Sequence, residues 1–523
     1  EDVYTLDGTL RYSAGEVVDT ITTGEDGTAQ SQPLYLGKFQ VKEIQFPHGM
    51  VDTGENVTNV ELVYAGQEVE VTETSASFYN QRQKALVTLD KVLEQDETFG
   101  IGMNGEISAV TFGLYAQEDI TAADGSVIPA DGLLEIVSVN ENGQAVCSTD
   151  LPFGSFYLKE LSTDSHYLLN GETFPFTFEY GGPSVAVVEI SANDGEAVTN
   201  ELIRGEIKGL KTDENGTGLG GAVIGLFKSD ETEFTAENAL ATTTSADDGS
   251  FSFTNVPYGD WVLKELESPE GFILSDEVIP VTVEEDGQVV EISLANERVY
   301  GDLRLTKVDK DYPDNKLTGA EFEVYRDTNG NKELDEGDEL LGKLEETSTG
   351  IYEMSHILYG GVFVRETKAP EGFLLDENAY YVEITENGKI YEVENEAGIG
   401  FTNMAQTGSL RIEKTSSDGK VEGFSFRVTG ANGYDQTFKT DKNGEIFIEG
   451  LRVGDYTVSE VSDGASANYV LPADKKVTIL ADKTTVAQMH NELRDTPKTG
   501  DDSKPWLWAA LMGVSAMGAA ALG

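Results

Sequence analysis

Apolar and polar residues alternate along this chain in short runs. Leu303-Arg304-Leu305-Thr306-Lys307 and Leu410-Arg411-Ile412-Glu413-Lys414 are two of them. Such alternation places every second side chain on one face of an extended strand. Turn sequences break the runs, among them Asp247-Asp248-Gly249 and Lys442-Asn443-Gly444. Long helical periodicity is absent. Short alternating runs with frequent turns predict an all-β fold built from antiparallel sandwich strands.

The runs recur as a unit. Each unit has an opening strand with a lysine, a middle strand that begins on glycine and ends on glutamate, and a closing strand ending in asparagine. The middle strand occurs at Gly37–Glu43, Gly154–Glu160, Gly259–Glu265, Gly360–Glu366 and Gly454–Glu460. Pro-Glu-Gly-Phe follows it at Pro269–Phe272 and at Pro370–Phe373. Five copies predict five domains, at residues 1–82, 83–203, 204–299, 300–405 and 406–494, with a terminal segment at 495–523. In the first copy Glu1-Asp2 aligns with Glu118-Asp119 of the second, downstream of the opening strand. That copy is expected to keep Glu43 and Asn80 and to lack its lysine strand.

Strand parity gives the lysine, glutamate and asparagine a common direction. Lys307 shares a face with Leu303 and Leu305, and Lys414 with Leu410 and Ile412. Lys91 falls with Val87 and Leu89, and Lys211 with Ile207; Lys84 is an alternative to Lys91 in the second copy. Glu265 follows Trp261 and Leu263, Glu460 follows Tyr456 and Val458, Asn296 follows Ile292 and Leu294, and Asn491 follows Met489. Lysine and glutamate are almost never fully buried unless paired. Burial lowers a lysine pKa and raises a glutamate pKa, so a proton can rest on the acid and leave a nucleophilic amine. The asparagine side-chain carbonyl is the electrophile. A protonated glutamate hydrogen-bonded to that carbonyl is expected to polarise it and shuttle protons. Loss of ammonia leaves a Lys–Asn amide. The alternative is an unreacted hydrogen-bonded cluster of the same residues.

These motifs resemble the prealbumin-like, collagen-adhesin B-type domains of Gram-positive pilins and adhesins, including SpaA-type pilin modules. The resemblance implies tandem prealbumin-like (Ig-like) sandwiches in an elongated array. It also implies intramolecular isopeptide bonds between opening-strand lysine and closing-strand asparagine, catalysed by the mid-domain acid. The pattern maps to Lys91, Glu160 and Asn200; to Lys211, Glu265 and Asn296; to Lys307, Glu366 and Asn403; and to Lys414, Glu460 and Asn491.

Composition narrows the setting. The chain has 523 residues, with 94 acidic against 36 basic side chains and a formal net charge of −58. Such a surface repels nucleic acid and anionic membranes. Cys147 is the sole cysteine, so no intrachain disulfide can staple a module. His48, His166, His356 and His490 are scattered without metal-ligand spacing. No Ser/His/Asp order or phosphate loop stands out, and enzyme activity beyond single-turnover self-cross-linking is not expected.

Two further segments carry candidate chemistry. Pro497, Thr499 and Gly500, followed by Asp501-Asp502 and an apolar run from Trp506 to Gly523, resemble an LPXTG sorting signal, with Thr496 where that family has leucine. The resemblance implies a C-terminal transmembrane helix, cleavage between Thr499 and Gly500 by a sortase, and transfer to a cell-wall peptidoglycan precursor. An ordinary membrane anchor is the alternative. In the fourth copy Asp327, Asn329, Asn331, Glu333 (through its carbonyl), Asp335 and Asp338 follow the ligand spacing of an EF-hand calcium loop, with Lys332 where that loop has glycine. A solvated acidic hairpin is the other reading. The expected function is a cell-wall-anchored stalk at the bacterial surface. Alternatives are an adhesin that binds a host extracellular protein or glycan, and a polymerised pilus subunit. The last is disfavoured because Asp314 follows Tyr312-Pro313 where a pilin motif has lysine.

Overall fold

The computed structural model describes residues 1–121 and 124–495. Pro497, Thr499, Gly500 and the apolar run lie outside the described residues, as does the expected transmembrane helix. Among the described residues no helix is long and apolar enough to cross a membrane. The chain divides into two compact units, one holding residues 1–270 with 274–296 and the other 271–273 with the residues from 297 on.

Within the first unit, two sandwiches follow a thin N-terminal segment. Residues 1–82 form three separate two-stranded pairings. Only Val3 and Val51 of their apolar side chains are buried, and Leu6 and Tyr79 stand in solvent. Residues 84–200 pack two sheets around a core that includes Val87, Leu89, Phe112, Leu114, Phe156 and Leu158. Residues 204–296 do the same around Ile207, Ile224, Leu226, Trp261, Leu263 and Leu294.

The second unit holds two more sandwiches. The core of one includes Leu303, Leu305, Phe322, Val324, Val364 and Phe401, and that of the other Leu410, Ile412, Phe426, Val458, Ala487 and Met489.

All four complete sandwiches share one topology. The opening strand lies inside its sheet, antiparallel to a hairpin strand on one side and parallel to the closing strand on the other. The opening strands are Lys84–Leu93, Arg204–Asp213, Tyr300–Asp309 and Thr407–Ser416. Closing strands Val289–Asn296 and Thr484–Leu493 are continuous. The other two are interrupted. Val187–Ser191 gives way to a one-turn helix before Val198–Asn200, and Ile390–Glu392 to a loop before Phe401–Asn403. The middle strand carrying the glutamate lies in the facing sheet.

A glycine near the start of three opening strands lets the two sheets approach. A Cβ on Gly408 would meet the Leu480 carbonyl at 2.2 Å, and one on Gly301 would meet Ile384 at 2.8 Å. The opening strand bulges at both places.

Candidate functional site

The parallel pairing of first and last strands builds the site. Lys91 is level with Val198, and Asn200 with Leu93. Lys211 is level with Leu294, and Asn296 with Asp213. Lys307 pairs with Phe401 and Asn403 with Asp309, while Lys414 pairs with Met489 and Asn491 with Ser416. In every case the asparagine sits two residues further along than the lysine. Two residues keep both side chains on the buried face and separate them by about 6.6 Å along the strand. The four-methylene lysine stem spans that gap, whereas a residue directly opposite would leave no room for it.

The glutamate closes the triangle from the facing sheet. Glu160, Glu265, Glu366 and Glu460 are level with Phe112, Ile224, Phe322 and Phe426, all wholly buried. The twelve triad residues are themselves at most 8 % exposed. Lys84, the alternative in the second module, is exposed, and Lys91 is the buried lysine.

In the second module Lys91 Nζ donates to Asn200 Oδ1 at 2.7 Å and lies 3.8 Å from Glu160. Asn200 Nδ2 donates to both Glu160 oxygens at 3.0 Å and to Thr163 Oγ1 at 3.0 Å. In the third, Lys211 Nζ donates to Asn296 Oδ1 and is 3.1 Å from Glu265, while Asn296 Nδ2 donates to Glu265 at 2.8 Å. In the fourth, Lys307 Nζ is 3.5 Å from Glu366 and 5.0 Å from the centre of the Phe401 ring. Asn403 Nδ2 there donates to Glu366 at 2.8 Å and to the Leu374 carbonyl. In the fifth, Asn491 Nδ2 donates to Glu460 at 2.7 Å. Lys414 instead donates to the Thr415 carbonyl at 2.5 Å and lies 4.3 Å from the Phe424 ring centre. The first module pairs Asn80 Nδ2 with Glu43 at 2.8 Å, half-buried.

One expectation is corrected here. The glutamate was expected on the asparagine carbonyl, but in all four complete modules it accepts from the amide nitrogen. The carbonyl oxygen faces the lysine in two modules and has no hydrogen-bond partner, among the described residues, in the other two. In the second, third and fourth modules, where the lysine lies within 4.0 Å of the acid, the carboxyl is therefore placed to move a proton from the lysine to the departing nitrogen. It is not placed to polarise the carbonyl.

Burial sets the electrostatics. It pushes Lys91 and Lys307 down to about 8, against the opposing pull of Glu160 and Glu366. Lys211 and Lys414 are also lowered by burial, with Glu265 and Glu460 opposing. Burial raises Glu460, against the Asn491 hydrogen bond and the Lys414 charge. A buried amine of lowered pKa beside an amide is a nucleophile next to an electrophile.

Sequence reasoning missed several participants. Thr163, the Leu374 carbonyl and the rings over the fourth and fifth lysines have no fixed spacing from the triad. Backbone amides also reach the glutamates: Asn170 N donates to Glu160 at 2.6 Å, Ser275 N to Glu265 at 2.9 Å and Asp376 N to Glu366 at 2.9 Å. Their constant ten-residue separation from the acid was the available signal.

The acidic loop of the fourth module folds on its own side chains. Asp327 accepts from Gly330 N and Lys332 N at 2.7 and 3.1 Å, and Asn331 Oδ1 accepts from Glu333 N at 2.8 Å. Asn329 and Asn331 both donate to Asp335 at 2.9 Å, and Asp338 accepts from Asp335 N at 2.9 Å. Lys332 takes a positive φ of 61°, the backbone conformation for which an EF-hand uses glycine. Among the described residues no three His, Cys, Asp or Glu side chains group as a metal site.

No curated protein matches the chain. Among solved structures, the Bacillus anthracis TIE protein is 22% identical over 73% of this chain and 69% of its own, with a TM-score of 0.47. BcpA, the major pilin subunit of Bacillus cereus, is 15% identical over 56% of this chain and 100% of its own, with a TM-score of 0.28. The pilus adhesin SpaC from Lactobacillus rhamnosus GG is 12% identical over 74% of this chain and 57% of its own, with a TM-score of 0.29. The family model for the SpaA prealbumin-like fold domain matches residues 205–298, 301–397 and 408–493. The same register and triad recur outside those matches, at Lys91, Glu160 and Asn200. With three matched domains over more than half of its length, the chain belongs to the SpaA prealbumin-like fold domain family.

Proposed function

We propose that this chain is the stalk of a Gram-positive surface protein whose modules lock themselves with Lys–Asn isopeptide bonds. The observation that carries the reading is the two-residue diagonal between lysine and asparagine, repeated in four modules with a buried glutamate over each pair. The glutamate takes a proton from lysine Nζ, and the free amine attacks asparagine Cγ. The Nζ–Cγ bond forms and the Cγ–Nδ2 bond breaks. That proton passes to Nδ2, which leaves as ammonia, and the second proton that Nζ loses as the amide forms goes to the glutamate carboxylate. Folding holds the reactants together, so effective molarity replaces an external enzyme.

The placement explains the benefit. Tension entering the third module at Arg204 runs along the opening strand to Lys211. It would cross the amide to Asn296 and leave, without passing through the intervening residues. The sandwich core then carries no force.

Pro497, Thr499 and Gly500 support attachment by a sortase, with Thr499 joined to a peptidoglycan precursor. Surface exposure in the cell wall follows from that attachment. We also propose that the loop from Asp327 to Asp338 takes calcium. The positive φ at Lys332 and the convergence of Asn329 and Asn331 on the Asp335 carboxylate support it. The mass of the purified chain tests the central reading, since each bond removes one ammonia. Incubation with sortase tests the attachment, which fails if the Thr499–Gly500 bond stays intact.

A further inference from the structure

The amides that reach the glutamates occupy one structural position. After the glutamate, each module sends an aromatic residue to bridge the chain two residues past the asparagine: Tyr167 to Leu202, Phe272 to Arg298 and Phe373 to Ala405. In the fifth module Tyr469 makes the same pairing with Leu493. Aligned on that aromatic, all four modules have a leucine two positions on: Leu169, Leu274, Leu375 and Leu471. The next residue is Asn170, Ser275 or Asp376, whose N–H holds the glutamate. In the fifth module it is Pro472, which has no N–H to give.

The consequence is visible around Glu460. Its Oε2 is buried without a hydrogen-bond partner among the described residues, while Oε1 takes the Asn491 amide. Glu366 also has an unpartnered oxygen, but that is the one facing Lys307, and its Oε2 holds the Asp376 N–H. The loop before Tyr469 turns onto Asp463 instead, which accepts from Ala465 N at 2.9 Å, Ser466 N at 3.1 Å and Ser425 Oγ at 2.5 Å. Lys414 forms no ion pair with Glu460 within 4.0 Å among the described residues, although such pairs join lysine and glutamate in the other three complete modules. In the second and third modules the backbone donor fixes Oε2, and Oε1 lies toward both lysine and amide. In the fourth, Oε2 takes the backbone N–H and the amide together, and Oε1 faces Lys307. In the fifth module, which lacks that donor, Lys414 turns to the Thr415 carbonyl.

We infer that this backbone N–H is the positioning group of bond formation, and that Pro472 makes the fifth module the slowest to cross-link. The inference rests on the Lys–Asn bond proposed above. Full-length chain made in a cell-free pulse is chased, denatured and digested, and branched peptides are quantified by mass for each pair. The Lys91–Asn200, Lys211–Asn296 and Lys307–Asn403 peptides should reach completion first, with Lys414–Asn491 lagging by about 10-fold or more. Pro472→Ser should remove most of that lag. Ser275→Pro should impose one on Lys211–Asn296, and Ser275→Ala, which keeps the N–H, should not.

Ser275→Pro should also move the acid limb of the rate–pH profile upward, because a carboxylate that loses a donor holds its proton more tightly. A change that merely loosened the fold would leave that limb in place. The inference is overturned if Lys414–Asn491 forms in step with the others or if Pro472→Ser leaves its rate unchanged. Absence of branched peptides from every module would instead remove the bond-forming reading itself.

Discussion

Lys211 and Asn296 are not opposite each other: Lys211 is level with Leu294, and Asn296 lies two residues further along the parallel strand, level with Asp213. The offset converts a pair of neighbouring strands into a reaction geometry. It brings a long amine diagonally onto a short amide inside a closed core.

The offset bears on stability first. A Lys211–Asn296 amide closes a loop of nearly the whole module, which the chain-entropy argument values at about 4 kcal/mol. Asn296→Ala should cost the third module about that much, as should Glu265→Gln through failure of the bond to form. Trp261 is buried in this module's core and reports its unfolding. Denaturant titration followed by its fluorescence would check both variants.

The lowered lysine pKa gives a pH signature. In Asn403→Ala, Lys307 stays an amine with a folded pKa of about 8, against an ordinary 10.5. The unfolded state then binds more protons between those values, so stability should rise with pH across that window. Below it the burial penalty is fully present, and above it the penalty is gone. The cross-linked parent has an amide there and should lack the slope. Urea unfolding at a series of pH values, parent against variant, reads the difference.

The glycine at the opening-strand bulge should tolerate no side chain. In Gly408→Ala the new methyl would meet the Leu480 carbonyl and Ile479. A loss of about 1–3 kcal/mol is expected, as for an overpacked core. Thermal unfolding of the full chain would show it as an earlier transition of the fifth module.

Calcium should raise the melting temperature of the fourth module alone. Asp335→Ala removes the carboxylate on which Asn329 and Asn331 converge and should abolish the response. Calorimetry with calcium and with chelator checks this. An unchanged melting profile would leave the loop a solvated hairpin.

Much of this was legible from strand parity. Lys307 and Lys414 alternate with leucine and isoleucine neighbours, and that alone put them inside. Parity also separates Lys91 from Lys84: seven residues apart on one strand they point to opposite faces, and only Lys91 is buried. The diagonal register was hidden, since a parallel partner comes from the far end of the module and two of the four closing strands are interrupted before their asparagine. The atom that meets the glutamate is not legible, because sequence carries no information on how an amide is turned. Pro472 stood in plain view, but Tyr469 follows Glu460 by nine residues where Phe373 follows Glu366 by seven. Only the bridge to Leu493 aligns them.

The central claim is covalent, so the most direct measurement is the mass of the intact, denatured, purified chain, followed by mapping of branched peptides. The account predicts a mass lighter than the sequence by at least three ammonias, with Lys91 joined to Asn200, Lys211 to Asn296 and Lys307 to Asn403. A mass equal to the unmodified sequence, with all of these lysines free, would contradict it.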